Sequence, residues 1–272
     1  MTESSSTELA VLDGALMPAD EARIPVTDDG FKRGDGVFEA LRVYGGRQFG
    51  LEEHLQRLLK SADGIKLHEL DISAIQRDVE ALIDARGEAD YGIRILVTRG
   101  GHRVVLIEEL HVYPPSIALA TVEYRTTIVL DGLKTLSYGG NVLANRIAEE
   151  RGFDEALLVT PEGLVLEGPT ASIFWSPDSE RLITPPLEEG ILASITRQIL
   201  LDAFDVEVRP TTQDELLGAT EAFLCSSVRE IQAIGQIDEQ RFPVPGPLTS
   251  AAKQAYTAAV EARLAAAGAN IG

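Results

Sequence analysis

The sequence predicts a mixed α+β fold in two domains, with antiparallel sheet prominent. Strand-like and helix-like segments alternate without the regular βαβ repeat of a parallel sheet. Pro114-Pro115 breaks the chain between two strand-like runs and marks a domain boundary. The length, 272 residues with 44% hydrophobic and 25% charged content, suits either one large core or two smaller ones. The expected division is residues 1–114, a connecting loop at 115–118, and residues 119–272.

Taken in order, the first ten or so residues read as a frayed tail. Val37 to Tyr44 is rich in β-forming residues, Gly45-Gly46 supplies the positive φ angles of a tight turn, and Arg47 to Leu51 returns as a hairpin. Glu52 to Asp63 carries Leu55, Leu58, Leu59 and Ala62 at helical spacing. Ile75, Val79, Leu82 and Ile83 mark a second amphipathic helix that stops before Gly87. Ile93 to Thr98, Val104 to Val112 and Ile117 to Val129 read as strands. A helix is expected from about Asn141 to Arg151, then Glu155 to Thr160 turning at Pro161-Glu162-Gly163 into Leu164 to Glu167. Ala171 to Trp175, Leu182 to Thr184 and the short buried Ala222 to Cys225 continue the sheet. Ser194 to Phe204 and the alanine-rich Ser250 to about Ala266 read as helices.

Charge and special residues narrow the function. With 43 acidic against 24 basic residues the net charge is −19, which repels a polyanion and argues against general nucleic-acid binding. No apolar run is long enough to span a bilayer, and the polar start MTESSSTE lacks the basic and apolar regions of a signal peptide; a cytoplasmic protein is expected. Cys225 is the only cysteine, which excludes an intrachain disulfide, and the four histidines show no paired ligand spacing, so no metal is expected. No Walker loop, dinucleotide fingerprint or serine-hydrolase elbow occurs.

Four segments carry chemistry that their surroundings do not require. In LKTLSYGGNVLANR, Lys134 lies between Leu133 and Leu136, where burial would lower its pKa and favour a nucleophilic amine; a side chain reaching out to water is the plainer alternative. Glu167 interrupts a run of strand formers in LVLEGPTASIFW, and an acid at a sheet edge would explain it as simply. Ser194 or Thr196 opens an apolar-periodic helix whose free N–H groups would favour an anion, or which is merely capped. Arg57 in EEHLQRLLKSAD lies on the polar side of its helix, the usual place for a solvated arginine.

Together with FKRGDGVFEALRVYGG, RGFDEALLVTPEGLVLEG and FLCSSVREI, these segments resemble, in order and rough spacing, the class IV aminotransferases. These are the fold type IV pyridoxal-phosphate enzymes, which include D-amino acid and branched-chain aminotransferases and aminodeoxychorismate lyases. The resemblance implies a small N-terminal α/β domain, a larger C-terminal domain with a barrel-like antiparallel core, pyridoxal 5′-phosphate as cofactor, and a homodimer with its sites at the subunit interface. It makes Lys134 the Schiff-base lysine that also shuttles the substrate proton. Glu167 would face the pyridine nitrogen. Arg57 would hold the phosphate together with Ile195, Thr196, Ser226 and Ser227. Tyr138, four residues past the lysine, would meet the ring's phenolic oxygen, although branched-chain enzymes place this tyrosine one residue further on.

The resemblance also places Arg33, Phe38, Arg94, Arg99 and Val228 in the substrate pocket. Branched-chain members tend to carry tyrosine at the Arg33 position and glycine at Ala40. D-specific members carry an Arg-x-His carboxylate trap after their Thr-Arg-Gly segment, and Thr98-Arg99-Gly100-Gly101-His102-Arg103 lacks it. Arg33, on the loop before the first hairpin, and Arg94, on the strand Ile93 to Thr98, could replace that trap, because guanidinium groups bind carboxylates bidentately. The expected activity is transamination between a D-amino acid, such as D-alanine or D-glutamate, and 2-oxoglutarate or pyruvate. Aminodeoxychorismate lyase and branched-chain L-amino acid aminotransferase are the alternatives.

Overall fold

The computed structural model describes residues 8–125 and 127–269. Its contacts divide the chain into two compact units. One comprises the described residues through Leu110 together with Leu133–Ser137, and the other His111–Gly132 together with the described residues from Tyr138 onward. The division therefore falls slightly ahead of Pro114, and a short segment from beyond the expected boundary groups with the first unit. The reason is backbone pairing, set out with the site below.

The first unit contains β1 (Leu9–Leu12), β2 (Ala15–Pro18), α1 (Asp29–Arg33), β3 (Gly36–Tyr44), β4 (Arg47–Gln48), α2 (Leu51–Gly64), α3 (Ile72–Arg86), β5 (Tyr91–Thr98) and β6 (Arg103–Glu108). Its six strands run in the order β2-β1-β6-β5-β3-β4, with every neighbouring pair antiparallel. The β3–β4 turn is the expected one, with Gly45 and Gly46 at φ 52° and 77°, where a side chain would be strained. Alternation along β3 and β5 sends Val37, Leu41, Val43, Ile93, Ile95 and Val97 into a core shared with Leu55 and Leu58 of α2 and Ile75, Val79 and Leu82 of α3. Phe38, Ala40 and Arg94 consequently belong to the other face.

The sequence expectations need three corrections here. Leu9–Leu12 is not a tail but a strand paired on both sides, with β2 and β6; residues 1–7 of the expected tail lie outside the described residues. The strand expected to reach Val112 ends at Glu108, whose partner Gly92 lies one residue from the start of β5. Arg33, expected on a loop, closes α1, a short helix capped by the Asp28 carboxylate accepting from Gly30 N.

In the second unit follow β7 (Ser116–Glu123), α4 (Gly139–Glu150), β8 (Glu155–Val159), β9 (Ser172–Ser176), β10 (Leu182–Thr184), α5 (Ile195–Ala203), β11 (Val206–Val208), α6 (Gln213–Leu217), β12 (Glu221–Ser226), β13 (Glu230–Ile237), β14 (Gln240–Arg241) and α7 (Pro247–Ala269). The sheet order is β11-β10-β9-β12-β13-β7-β8, with β14 beside β13. Its centre is antiparallel, as expected, while β13-β7-β8 and β10-β11 are parallel. The long strand expected through Val129 stops at Glu123. Beyond it Ile128–Leu130 is a single 3₁₀ turn, with Ile128 and Val129 exposed. Leu164 to Glu167 does return along β8, through Leu166 N to Leu158 O and Leu158 N to Glu167 O, both 2.9 Å.

One core-facing position of β3 is an acid. Glu39 is fully buried, and α2 supplies its partners: Arg57 donates from Nε and Nη2 to the two carboxylate oxygens at 2.7 Å each, and His54 donates from Nδ1 at 2.7 Å. Positions 54 and 57 share one helical face, so a single strand acid can engage both. Burial by itself would raise the Glu39 carboxyl, but the hydrogen bonds and charge of Arg57, with His54, outweigh it and bring it down to about 2. Burial also lowers His54, and the charges of Arg57 and Lys134 add to this against the pull of Glu39, so the imidazole is neutral.

A carboxyl brought from 4.5 to about 2 contributes stability that is present above pH 4.5 and lost as pH falls toward 2. Its size is roughly 3 kcal/mol on the scale of 1.4 kcal/mol per pH unit. In urea titrations across pH, Glu39→Gln is expected to be less stable than wild type at neutral pH, with the gap narrowing below pH 4.5. A gap that stays constant through that range would contradict this assignment.

Candidate active site

Lys134 is placed by its backbone. Its carbonyl accepts from Phe38 N at 3.1 Å, Leu136 N donates to Gly36 O at 2.9 Å, and Thr135 bridges antiparallel to Val37. Its own N–H donates to Ser61 Oγ of α2 at 3.0 Å. The segment thus extends the sheet beside β3, and a Cβ on Gly36 would stand 2.4 Å from Val97 O and 2.6 Å from Leu136, so the close approach needs glycine. The half-buried amine does not simply reach out to water: Lys134 Nζ lies 4.4 Å from the centre of the Phe38 ring.

Of the other residues expected in the substrate pocket, Arg94 comes to the same place, with its guanidinium carbon 5.1 Å from the centre of the Phe38 ring. Phe38, Arg94 and Lys134 therefore form one cluster on the sheet face opposite Glu39. Arg94 also donates from Nε to Glu108 at 2.5 Å. Arg33 and Arg99 are placed elsewhere, around the α1 turn. Arg33 is exposed and pairs with Asp29. Arg99 staples the loop, bonding Asp35 at 2.5 Å, the Lys66 carbonyl at 3.1 Å and the Ile65 carbonyl at 2.7 Å. Arg57 is not a solvated surface residue; one edge of its fork is committed to Glu39.

The second unit gathers Tyr138, Glu167, Ile195, Thr196, Ser226, Ser227 and Val228. Ser194 caps α5, accepting from Arg197 N at 3.2 Å. Ile195 and Thr196 then occupy the first two helical positions, whose N–H groups have no acceptor within the helix. Among the described residues, the buried Thr196 Oγ1 has no hydrogen-bond partner. An orphaned hydroxyl beside two free backbone donors at a helix N-terminus suits a phosphate oxygen. Glu167 accepts from Leu192 N at 3.0 Å. Leu192 lies three residues ahead of α5, so this bond brings the Glu167 carboxylate close to the helix start; burial lowers the Arg197 guanidinium, and the charges of Cys225 and Glu167 oppose this. Ser226 Oγ, next to Cys225, accepts from Arg229 N at 3.2 Å, and Ser227 and Val228 form the turn into β13. The donor set, a phosphate cradle near a carboxylate, fits a phosphorylated pyridine.

Tyr138 stands at the start of α4 and donates from its hydroxyl to the Pro169 carbonyl, which also accepts from Asn141 Nδ2 at 3.0 Å. Tyr124 donates to Asn141 Oδ1 at 3.0 Å. Burial, then the charges of Glu167 and Asp131, push the Tyr124 phenol up, which keeps it a donor. Sequence reasoning missed Glu39, His54, Tyr124 and Asn141. For Glu39 a signal existed: an acid at the inward position of the alternation Val37, Glu39, Leu41, Val43, facing a helix with His54 and Arg57 three apart.

Known proteins give the same picture. The family described as Amino-transferase class IV matches residues 36–237. The chain is 31% identical over 264 residues to a D-alanine aminotransferase of Bacillus licheniformis, covering 88% of this chain and 92% of that one. It is also 31% identical over 257 residues to a putative branched-chain-amino-acid aminotransferase of Methanocaldococcus jannaschii, covering 84% and 87%. Among solved structures, a hypothetical aminotransferase from Mycobacterium tuberculosis in its pyridoxal-phosphate-bound form superposes with a TM-score of 0.84 at 26% identity, over 93% of this chain and 98% of that one. Sequence, architecture and donor set agree, and the chain belongs to the class IV aminotransferases, fold type IV enzymes that depend on pyridoxal 5′-phosphate.

Proposed function

We propose that this aminotransferase moves the amino group of a D-amino acid, such as D-alanine or D-glutamate, to 2-oxoglutarate or pyruvate. The observation that carries the reading is the Phe38 cluster, in which the Arg94 guanidinium and the Lys134 amine share one ring. A cation beside the reacting amine suits recognition of a carboxylate, the group that D-alanine, D-glutamate and both 2-oxo acids carry. The two relatives at equal identity carry a D-alanine and a branched-chain name, so overall similarity does not choose between them.

In this reading bound pyridoxal phosphate would supply an electron sink for the pair left at the substrate α-carbon when its proton is removed. Lys134 Nζ takes that proton and returns it on the other side of the transfer. Glu167 would face the pyridine nitrogen and favour a proton there. Ile195 N, Thr196 N and Thr196 Oγ1 would bind the phosphate, with Ser226 and Ser227 on the turn after β12, and Arg57, whose guanidinium Glu39 holds in orientation, would serve as its cationic clamp. Tyr138 lies against the ring's oxygen, kept in place through Asn141 and the Pro169 carbonyl. Arg94 would bind the substrate carboxylate and Phe38 and Val228 would line the pocket, while Arg33, paired with Asp29 at the α1 turn, stands apart from the Phe38 cluster. Arg99, with its nitrogens engaged in the loop, holds the shape of the α1 turn.

We also read the enzyme as a homodimer. On α4 the large apolar residues Val142, Leu143 and Ile147 are 41%, 55% and 37% exposed, more apolar surface than a helix turned to water needs. A second copy is the simplest cover.

The holoenzyme, given 2-oxoglutarate and either D-alanine, L-leucine or aminodeoxychorismate, is expected to consume D-alanine fastest and to form pyruvate from it. L-leucine or aminodeoxychorismate reacting faster than D-alanine would overturn the substrate assignment. Analytical ultracentrifugation is expected to give twice the chain mass of 29.3 kDa, and Leu143→Glu with Ile147→Glu to shift it to monomer. A wild-type monomer at micromolar concentration would contradict the dimer.

A further inference from the structure

Arg94 and Glu108 lie on adjacent antiparallel strands, but not opposite one another: Arg94 faces Leu106 across the ladder, and Glu108 faces Gly92. They are diagonal neighbours, a separation that long side chains can bridge. A Cβ on Gly92 would stand 3.3 Å from Glu108 O and 3.4 Å from Glu108 Cβ, and glycine leaves that space open. Glu108 takes only the Nε edge of the guanidinium, at 2.5 Å. Phe38 supports its face at 5.1 Å. Among the described residues, Nη1 and Nη2 of Arg94 make no hydrogen bond. Both side chains are about one-third exposed, 34% and 33%. An ion pair so placed adds little to stability, so stability alone is a weak reason for it.

We propose that Glu108 is a positioning residue for substrate binding: by holding the Nε edge against the Phe38 ring, it presents the Nη1–Nη2 end of Arg94 to the carboxylate of the amino acid or 2-oxo acid. This rests on the reading of Arg94 as the carboxylate-binding arginine. Glu108 then has two opposed effects. Its hydrogen bond orients the fork, which favours binding, while its charge partly cancels the attraction of Arg94 for an anion, which weakens binding. Glutamine keeps an oxygen that can accept from Nε and loses the charge; alanine loses both. The two substitutions therefore act in opposite directions, which neither a purely electrostatic role nor a surface ion pair produces.

The test uses holoenzyme with saturating D-alanine as donor and 2-oxoglutarate as the varied acceptor. Glu108→Gln is expected to lower the acceptor KM about threefold, and Glu108→Ala to raise it about threefold or more, with the larger change in KM rather than kcat. Arg94→Ala is expected to raise KM at least tenfold, the loss of a charge-assisted hydrogen bond, and adding Glu108→Ala to it to change KM no further. Thermal melts check that each variant is folded. If Arg94→Ala leaves KM unchanged, the reading of Arg94 fails and the role of Glu108 with it. If Arg94→Ala raises KM but the Gln and Ala variants at Glu108 shift it the same way, or not at all, Glu108 does not position Arg94 and the reading of Arg94 stands.

Discussion

The placement of the first-unit site depends on the backbone pairing of Lys134 and Leu136 with β3. Two main-chain hydrogen bonds, with a third to Ser61, hold a segment distant in sequence beside a central strand of the first sheet. They set the register of Lys134 against Phe38, and register in a sheet decides which face a side chain occupies. A slip by one residue would turn the amine from the Phe38 and Arg94 face toward the helices. The same alternation places Glu39 on the helix side, where it holds Arg57. One strand therefore orients the amine with one face and the proposed phosphate clamp with the other.

Charge follows a similar economy. A chain with a net charge of −19 is proposed to bind a phosphate and carboxylates, so its overall field opposes its ligands and attraction has to be local. Every arginine considered for those ligands is already paired with an acid: Arg57 with Glu39, Arg94 with Glu108, Arg33 with Asp29 and Arg99 with Asp35. The partners differ in what they leave available. Glu39 is wholly buried and locks one edge of Arg57, while Glu108 leaves the far end of Arg94 open. Asp35 and two carbonyls use up Arg99. The acidic partners thus sort the arginines into those available for a ligand and those serving the fold.

Features governed by local chemistry were legible in the sequence. The Gly45-Gly46 turn, the apolar period of α2 and α3, and Ser194 as the cap of α5 each depend on residues within one or two turns of chain. Features set by distant pairing were not. Leu9–Leu12 is a strand because β6 and β2 flank it, and Ile128 and Val129, apolar enough for a strand, have no strand beside them. Arg57 seemed solvated because its partner lies 18 residues away in another element. The roles of the arginines depend on acids 4, 14 and 64 residues off. The lysine itself was found by resemblance, and only the paired backbone explains why it is held where it is.

The central claim is that Lys134 is the amine that engages the cofactor. Its most direct test is borohydride reduction of the pyridoxal-phosphate-loaded protein, followed by digestion and peptide mass mapping. The account predicts a single phosphopyridoxyl adduct on the peptide containing Lys134. An adduct on another lysine, or none on a protein that remains folded and loaded, would contradict it.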